Sequence, residues 1–374
     1  MTARRSDVIV VGAGIVGAAC AAALARDGWR VTVLEKSFAS AGTTSVGMGH
    51  LVVMDDSPEQ LALTQYSVRL WRELASVLDP RSELDPCGTL WVAEDESQLW
   101  ALRSKRDVYL AAGVRAEILD ARALVAEEPN LRRDLVGALH VRGDGVVYPP
   151  GAVLSLLDAA RANGAVIREG VEVHELMPNG ARTATETLHA DVVVNAAGAT
   201  SPHLTSGLPI VPRKGHLAIT DRYARFCRHQ IVEVGYLASA HVMTNESVAF
   251  NVQPRSTGQL LIGSSRELVG WDARINRDIL GRMLDRATHF MPGLGGLSVI
   301  RSWTGFRPAT PDKLPLIGRW DPIPGVWIAA GHEGLGITTS LGTAQLLADL
   351  IAGRATQIDA AAFAPTRTIA AVHA

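Results

Sequence analysis

The sequence predicts an α/β protein built from two domains. Its length of 374 residues corresponds to two domains at about 150 residues each. Its first 35 residues contain a strand, a glycine-rich turn, a helix and a second strand, in that order. Near the C-terminus, a second glycine-rich turn precedes a second apolar helix. Hydrophobic residues make up 47% and charged residues 20%, a globular balance that excludes a disordered chain.

Charge and cysteine content exclude several classes of function. The formal net charge is −2 and the pI is near 6.6, so nothing favours nucleic acid or an anionic membrane as a partner. The three cysteines, Cys20, Cys87 and Cys227, are far apart and form no disulfide framework, metal-ligand spacing or paired-thiol motif. We therefore expect a reducing compartment, the cytoplasm, and no bound metal.

The uncharged stretch from 8 to 25 has the minimal length of a membrane helix. The basic pair Arg4-Arg5 before it also resembles the start of a signal peptide. However, the stretch contains three glycines and is rich first in β-branched residues and then in alanine. We interpret it as a buried strand followed by a buried helix.

The glycines of this stretch, Gly12, Gly14 and Gly17, have the spacing of a dinucleotide-binding turn. The first permits a tight turn after strand 7–11, the second lets backbone approach a pyrophosphate, and the third lets helix 18–26 touch the strand. The helix N-terminus presents free N–H groups and a positive dipole to phosphates.

The second strand, 30–35, ends in Glu35, 18 residues after Gly17. Its carboxylate can accept hydrogen bonds from a ribose diol and would repel a 2′-phosphate, which disfavours a phosphorylated dinucleotide. The complete order of strand, turn, helix, strand and acid predicts a Rossmann-type domain, against a glycine-rich turn in an unrelated fold. This unit alone leaves flavin and nicotinamide open.

The C-terminal hundred residues favour flavin. A Gly305-x-Arg307-Pro segment precedes a predicted strand at 325–329, a turn at 330–337 and an apolar helix at 338–352. The positive end of this second helix can stabilise the negative charge that collects on a reduced flavin ring.

Together these motifs resemble the D-amino-acid oxidase family of flavoenzymes, to which glycine oxidase and sarcosine oxidase belong. The resemblance covers nearly the whole chain and includes the loop 42–50, the strands 88–93 and 171–173 and the segment 191–198. The segments 48–56 and 212–216 look most like the flavin subunits of bacterial D-hydroxyproline dehydrogenases. That branch also includes opine and hydrogen-cyanide-forming amino-acid dehydrogenases.

The family resemblance implies a discontinuous layout. It implies an FAD-binding domain from 1–80, 136–210 and 300–374, and a substrate domain on a mostly antiparallel sheet from 81–135 and 211–299. The sequence pattern predicts helices at 57–78, 96–112, 150–163 and 274–290, and strands at 114–119, 248–252 and 259–262.

The resemblance implies FAD held without a covalent bond, since no cysteine lies near 313–318, where sarcosine oxidase carries its attachment site. The implied cofactor-binding residues are Gly12, Gly14, Ile15, Val16, Gly17, Glu35, Lys36, Thr43, Thr44, Ser45, Gly49, Val173, Ala197, Gly198, Gly305, Arg307, Gly331, His332, Gly334, Leu335, Gly336 and Ile337.

Arg307 is the strongest catalytic candidate, because the family's Gly-x-Arg-Pro arginine grips the substrate carboxylate. A guanidinium binds a carboxylate bidentately and stays charged. The alternative is a structural arginine that pairs with Asp312 or a carbonyl. With the carboxylate fixed, the substrate Cα–H can face flavin N5 while the amine is neutral.

Two further residues are candidates for substrate contact. His50 could tune the amine's protonation; packing and covalent flavin attachment are its alternatives. Tyr236 could contact substrate or serve as a rim tyrosine. We expect His332 to shape the second glycine turn, Trp303 and Phe306 to form pocket wall or core, and His216 to be architectural.

The predicted function is FAD-dependent oxidation of the C–N bond of a small amino acid, secondary or D-configured, with D-hydroxyproline preferred. The rivals are a glycine or sarcosine oxidase that uses oxygen, a non-catalytic flavin-binding subunit, and an NAD-binding protein. Electrons could pass to oxygen, to a quinone or to a partner subunit that holds an iron–sulfur cluster. The three cysteines of this chain are too few to hold such a cluster themselves. The oligomeric state stays open.

Overall fold

The computed structural model describes residues 6–235 and 246–369. The α-helices are α1 Ile15–Arg26, α2 Pro58–Leu74, α3 Glu96–Ala111, α4 Ala121–Glu127, α5 Pro149–Ala162, α6 Ser201–Leu204, α7 Arg277–Phe290 and α8 Gly336–Ile351. The strands are β1 Val8–Val11, β2 Val31–Glu35, β3 His50–Leu51, β4 Thr89–Ala93, β5 Ala116–Asp120, β6 Gly137–Val141, β7 Gly145–Val146, β8 Val166–Glu169, β9 Val173–Met177, β10 Gly180–Thr183, β11 Thr187–His189, β12 Val192–Asn195, β13 Val211–Thr220, β14 Gln230–Glu233, β15 Glu246–Pro254, β16 Leu260–Glu267, β17 Val299–Ala309, β18 Leu316–Arg319 and β19 Val326–Ala330.

A six-stranded sheet in the order β18-β19-β12-β1-β2-β8 forms the nucleotide-binding half. Its strands are parallel apart from the antiparallel edge strand β18. β1 lies in the middle, so that the glycine turn after it opens at the carboxyl edge of the sheet, where ligands of open α/β sheets bind.

The two faces of this sheet are covered by different layers, as the alternation of strand side chains requires. Val8 and Val10 of β1 join a core formed with α1, α2, α5 and α8. Ile9 and Val11 face the other way, into a core with the antiparallel sheet β11-β10-β9. Both faces being buried explains the continuous hydrophobic run of β1.

An eight-stranded sheet in the order β17-β13-β16-β15-β14-β4-β6-β5 forms the other half. It is antiparallel except for the parallel pair β14–β4. Helix α7 covers one face through Met283, Ala287 and Phe290. The opposite face carries the candidate site described below.

The predicted elements agree with the structure within a few residues. Helix α2 ends at Leu74 rather than 78, and Val77 beyond it is 75% exposed. Helix α7 begins three residues later than predicted, because the Asn276 side chain accepts the Asp278 and Ile279 N–H groups as the cap.

The division into domains stays a prediction. By sheet membership, Gly137–Val141 and Val299–Ala309 belong with the eight-stranded sheet. We therefore propose boundaries after 141 and after 309 in place of 135 and 299. The Gly305–Arg307 segment then lies on a strand of the substrate sheet.

No helix within 6–235 and 246–369 combines the length and the apolar character that a membrane crossing needs. In the same ranges, no group of three or more His, Cys, Asp or Glu side chains is arranged to hold a metal ion.

Candidate active site

The turn after β1 brings three backbone segments into close contact. A side chain at Gly12, whose φ is +105°, would place its Cβ 2.6 Å from the Ala196 carbonyl oxygen. At Gly17 a Cβ would lie 1.9 Å from the Gly12 carbonyl oxygen. Only glycine fits these positions, and the sequence spacing predicted this.

The N-terminus of α1 faces this turn and has no side-chain cap at Gly14. The Ile15 N–H donates to Thr44 Oγ1 at 3.0 Å, which joins the predicted loop 43–45 to the turn. The remaining N–H groups of the first turn have no partner within the helix, so they can donate to an anion above it.

Glu35 lies at the end of β2 beside the same turn. Its carboxylate accepts the Ala13 N–H at 2.8 Å and the Ser37 N–H at 3.0 Å. Charge-assisted bonds of this kind fix the carboxylate in place. Lys36 next to it is exposed, and the Val171 N–H donates to the Glu35 carbonyl, which brings the start of β9 at Val173 to this corner.

The loop from Thr43 to Gly49 lies between the glycine turn and strand β17 and contacts both. The Thr43 hydroxyl donates to the Phe306 carbonyl at 2.7 Å, and the Trp303 indole donates to the Val46 carbonyl at 3.1 Å. A Cβ at Gly305 would approach Val46 Cγ2 to 2.4 Å. The loop and the Gly-x-Arg-Pro strand are thus in direct contact, and a cavity of about 350 Å³ borders Ser45–Met48 and Trp303.

The second glycine turn leads from β19 into α8. His332 is buried, its Nε2 is 3.0 Å from Thr343 Oγ1, and burial lowers its pKa to about 3. It is neutral and links the turn to α8, and its contact with the cofactor stays a prediction. Thr338 in the first turn of α8 donates to the His50 carbonyl at 2.7 Å and accepts the Val52 N–H at 3.3 Å.

A second, narrower cavity lies between the eight-stranded sheet and the second glycine turn, and we call it the sheet cavity. Its floor consists of sheet side chains, and its opposite wall comes from the segment after β3 and from the loops around 313 and 334. The lining residues are Trp91, Arg213, Gln230, Val232, Asn251, Arg266, His50, Val52, Met54, Asp56, Gln60, Lys313, Glu333, Gly334 and Leu335.

Arg307 lies at the edge of the sheet cavity. Its NH1 donates to the Ser265 carbonyl at 2.9 Å, and its side chain crosses Gly215, where a Cβ would be 2.2 Å from NH1. A carbonyl contact was one of the structural alternatives for this residue. The other alternative, Asp312, pairs instead with Arg367 at 2.7 Å.

His50 lines the sheet cavity opposite the floor. Its Nε2 is buried and has no hydrogen-bond partner among the described residues. Burial and the nearby Arg307 charge lower its pKa to about 4, so the imidazole is neutral at physiological pH. A neutral nitrogen in this position can accept a hydrogen bond from a ligand.

The sheet cavity also contains charged residues that the sequence did not single out as site residues. Glu333 Oε1 is 3.5 Å from Arg213 NH1 and 3.8 Å from Arg266 Nε. Burial raises the pKa of Glu333, but Arg266, Arg307 and Arg213 outweigh it and the pKa is lowered. Lys313 Nζ is 3.8 Å from Asp56 Oδ2.

One sequence signal could have identified these residues. Arg213 and Arg266 lie inside strands and are 2% and 3% exposed. Charged side chains are almost never fully buried unless they are paired. A charged residue within a predicted central strand is therefore a sign of function. Tyr236, the remaining candidate, lies outside the described residues.

The other predicted architectural histidine has the expected surroundings. His216 is buried, its Nδ1 is 2.9 Å from Ser265 Oγ, and its Nε2 accepts the Asn276 N–H at 3.0 Å. It links β13 and β16 to the cap of α7.

Comparison with known proteins identifies the family. Residues 7–350 match the family profile DAO, described as FAD dependent oxidoreductase. The chain belongs to this family. It is an FAD-dependent oxidoreductase that acts on the CH–NH or CH–NH2 group of amino acids.

Three relatives illustrate the match. The chain is 30% identical to a glycine oxidase of Geobacillus kaustophilus over 98% of each sequence. The crystal structure of glycine oxidase from that species superposes with a TM-score of 0.88 at 28% identity, covering 98% of this chain and 100% of that one. A D-amino acid dehydrogenase of Cereibacter sphaeroides is 30% identical over 97% of this chain and 95% of its own. The hydrogen cyanide synthase subunit HcnC of Pseudomonas aeruginosa is 28% identical over 97% and 96%.

The residues at the carboxyl edge of the six-stranded sheet fit FAD. The Gly12–Gly17 turn leaves room where side chains would collide, α1 offers N–H donors for a pyrophosphate, and Glu35 offers a fixed acceptor for ribose hydroxyls. The loop 43–49, the segment 197–198 and the turn 331–337 border the same region. Their individual contacts to the cofactor stay predictions.

Proposed function

We propose that this protein oxidises the C–N bond of a small secondary or D-configured amino acid whose carboxylate binds Arg307. The observation that supports this is the position of Arg307 beside the sheet cavity, held by Gly215 and Ser265 and facing neutral His50. D-Hydroxyproline is the first candidate on the sequence resemblance.

The chain's own residues orient the substrate and exclude water from it. Arg307 fixes the carboxylate, so that the adjacent Cα has one orientation. His50 Nε2 is neutral near pH 7 and accepts a hydrogen bond from an amine N–H, which fixes the direction of the nitrogen. Burial in the cavity and the positive charge of Arg307 favour the neutral form of the amine. Trp91, Val232 and Leu335 exclude water from the cavity.

Bound FAD supplies the two-electron acceptor for a hydride. The substrate loses a hydride from Cα and a proton from nitrogen, the proton is released to solvent, and the C–N bond becomes a C=N bond. Water then adds to this imine and releases a carbonyl compound and an amine. Tyr236 is a further candidate for substrate contact.

The test is anaerobic bleaching of the flavin by a panel of D-, L- and N-alkyl amino acids, followed by admission of air. We expect at least one D- or N-alkyl amino acid to bleach the flavin, and its matched L- or unalkylated partner to be slower. Rapid recolouring in air indicates an oxidase, and a persistent bleached state indicates a quinone or protein acceptor. If no amino acid bleaches the flavin, the proposed function is wrong.

The attachment of the cofactor is tested separately. We propose that FAD is held without a covalent bond, because His50 points into the sheet cavity and the described cysteines, Cys20, Cys87 and Cys227, do not line either cavity. Acid precipitation should release the yellow colour into the supernatant. Colour that stays with the precipitate would contradict this.

A further inference from the structure

We propose that the substrate carries a second carboxylate, which Arg213 and Arg266 bind beside the first carboxylate at Arg307. This inference rests on the proposed function and narrows it within the class of secondary and D-configured amino acids. It replaces D-hydroxyproline, which has one carboxylate, with a dicarboxylate as the first candidate substrate. The second carboxylate has two chemical sources. It belongs either to the side chain of an acidic amino acid or to a carboxyalkyl group on the amine nitrogen, as in an imino diacid.

The register of the sheet places two of these arginines side by side. Arg213 of β13 is directly opposite Arg307 of β17. Residues directly opposite each other in an antiparallel pair project from the same face and have Cβ atoms about 4.5–5.5 Å apart. Arg266, on the neighbouring strand β16, lines the same cavity as Arg213. Three guanidinium groups therefore surround one end of the cavity.

The charges around the sheet cavity do not balance. Its lining includes the cations Arg213, Arg266 and Lys313 and the acids Asp56 and Glu333, and Arg307 adds a fourth cation at the edge. His50 is neutral. Residues 236–245 contain no Asp or Glu in the sequence. These residues carry two more positive than negative charges, which a dicarboxylate with a neutral amine would neutralise and a monocarboxylate would not.

The geometry of Glu333 leaves room for a ligand's oxygens. Its distances to Arg213 and Arg266, 3.5 and 3.8 Å, exceed the 2.7–2.9 Å of a charge-assisted hydrogen bond. A ligand carboxylate that binds between the Arg213 and Arg266 guanidinium groups can approach both of them more closely than the Glu333 carboxylate does. The bidentate fit of carboxylate and guanidinium favours such a site over one built for a neutral hydroxyl.

The amides of the floor fix the direction in which the substrate lies. Gln230 Oε1 and Asn251 Oδ1 are buried and have no hydrogen-bond partner among the described residues, and both residues line the cavity. These oxygens accept hydrogen bonds, so they suit the amine N–H of the substrate and would repel its carboxylates. The amine then lies between His50 and these amides, with both carboxylates at the arginines.

The first experiment compares matched substrates on the unaltered holoenzyme. Iminodiacetate is compared with N-methylglycine, which lacks its second carboxylate. D-Aspartate and D-glutamate are each compared with D-alanine and with D-hydroxyproline. We expect the dicarboxylate of at least one pair to reduce the flavin with an efficiency on the order of 10- to 100-fold higher. An advantage of iminodiacetate assigns the second carboxylate to the nitrogen substituent, and an advantage of the acidic D-amino acids assigns it to the side chain. Monocarboxylates that equal or exceed the dicarboxylates in every pair would overturn the proposal while the proposed function stands.

The second experiment replaces Arg266 with Met and uses Arg282→Met as the matched control. Arg282 lies on α7, is 54% exposed, pairs with Glu246 and lines neither cavity. In Arg266→Met the efficiency with the dicarboxylate should fall at least about tenfold more than with its monocarboxylate partner. Equal losses on both would overturn the proposal, and Arg282→Met should change neither value. Arg266→Lys keeps the charge but not the bidentate geometry, so its efficiency with the dicarboxylate should lie between those of the wild type and Arg266→Met. An intermediate value also shows that the loss in Arg266→Met is not caused by misfolding.

A binding measurement separates this inference from the proposed function. Calorimetry on the holoenzyme should show that glutarate binds at least about tenfold more tightly than butyrate, and that Arg266→Met removes the difference. If no amine bleaches the flavin, the proposed function is wrong, and the glutarate result still decides whether a second carboxylate site exists. Equal affinity for glutarate and butyrate would contradict the site.

Discussion

Gly215→Ala should move the Arg307 guanidinium without removing it. Gly215 lies on β13 opposite Gly305 of β17, and a Cβ at this position would be 2.2 Å from Arg307 NH1 and 2.8 Å from Cζ. Carbon contacts are optimal near 3.5–4.0 Å, so the guanidinium must shift by about 1 Å. The obstacle is the end of a flexible side chain, so the fold should tolerate the change.

A displacement of this size has a large effect on a positioned reaction. Misplacing a reacting group by about 1 Å reduces rates on the order of 100-fold, or about 2.7 kcal/mol in the activation free energy. The assay is the anaerobic rate of flavin reduction by the best amino acid and by its uncharged amide. The amino acid should lose about 100-fold and the amide much less, because the amide has no carboxylate for Arg307 to hold.

Gly281→Ala is the matched control. Gly281 lies within α7, and a Cβ there would meet no atom within 4 Å. Alanine is favoured over glycine in a helix by about 1 kcal/mol, so this variant should be slightly more stable and fully active. If Gly215→Ala kept the wild-type rate with intact FAD content, Arg307 would not be the carboxylate anchor. Equal losses on amino acid and amide would also refute the reasoning.

Three further changes test other parts of the site. Arg307→Met should lower efficiency with the amino acid by roughly 30- to several-thousand-fold, at a loss of about 2–5 kcal/mol, while FAD content is retained; an equal loss with the amide would assign Arg307 to the fold. Glu35→Ala should raise the dissociation constant of FAD, since charge-assisted hydrogen bonds contribute about 1.5–3 kcal/mol each, and saturating FAD should restore turnover; no rescue would give Glu35 another role. Burial raises the pKa of Asp144 from an ordinary 3.8 to about 7. Between about pH 4 and 7 the unfolded chain therefore loses this proton while the folded chain keeps it. The free energy of unfolding should fall by on the order of 4 kcal/mol as the pH rises through this window. Asp144→Asn, which keeps the oxygen that accepts the Val53 N–H at 3.1 Å, should flatten this slope in urea titrations at pH 5 and 7.5, and an unchanged slope would contradict the assignment.

The sequence predicted the nucleotide-binding half well because local chemistry determines it. The glycines at 12 and 17 are required by backbone contacts of 2.6 Å or less, and such contacts impose a fixed spacing on any sequence that forms them. The start of α2 was predicted to within one residue of its Ser57 cap. The start of α7 was predicted three residues too early, because the Asn276 cap was not recognised in the sequence.

The sheet cavity could not be predicted in the same way. Arg213, Asn251, Arg266 and Glu333 come from four separate segments, and only long-range strand pairing brings them together. Nothing in the local pattern at 266 indicates which strand lies beside it. The boundary positions at 135 and 299 differ from the sheet membership for the same reason, because pairing partners rather than local propensity decide which sheet a strand joins.

The order of strands in the six-stranded sheet has a consequence for how the protein is made. β1 leaves the ribosome before the other strands of this sheet, but its neighbour β12 follows about 180 residues later. β19, which pairs with β12, comes later still and is followed by α8, whose Thr338 donates to the His50 carbonyl. Domains tend to fold in order during synthesis, and contacts between distant segments slow folding. The glycine turn needs contacts from as far along the chain as Ala196, and the six-stranded sheet and the second glycine turn can be completed only after β19 and α8 have emerged. We expect FAD to be loaded after translation, and a chain that ends before α8 to be a target for chaperones or proteases rather than a partly active enzyme.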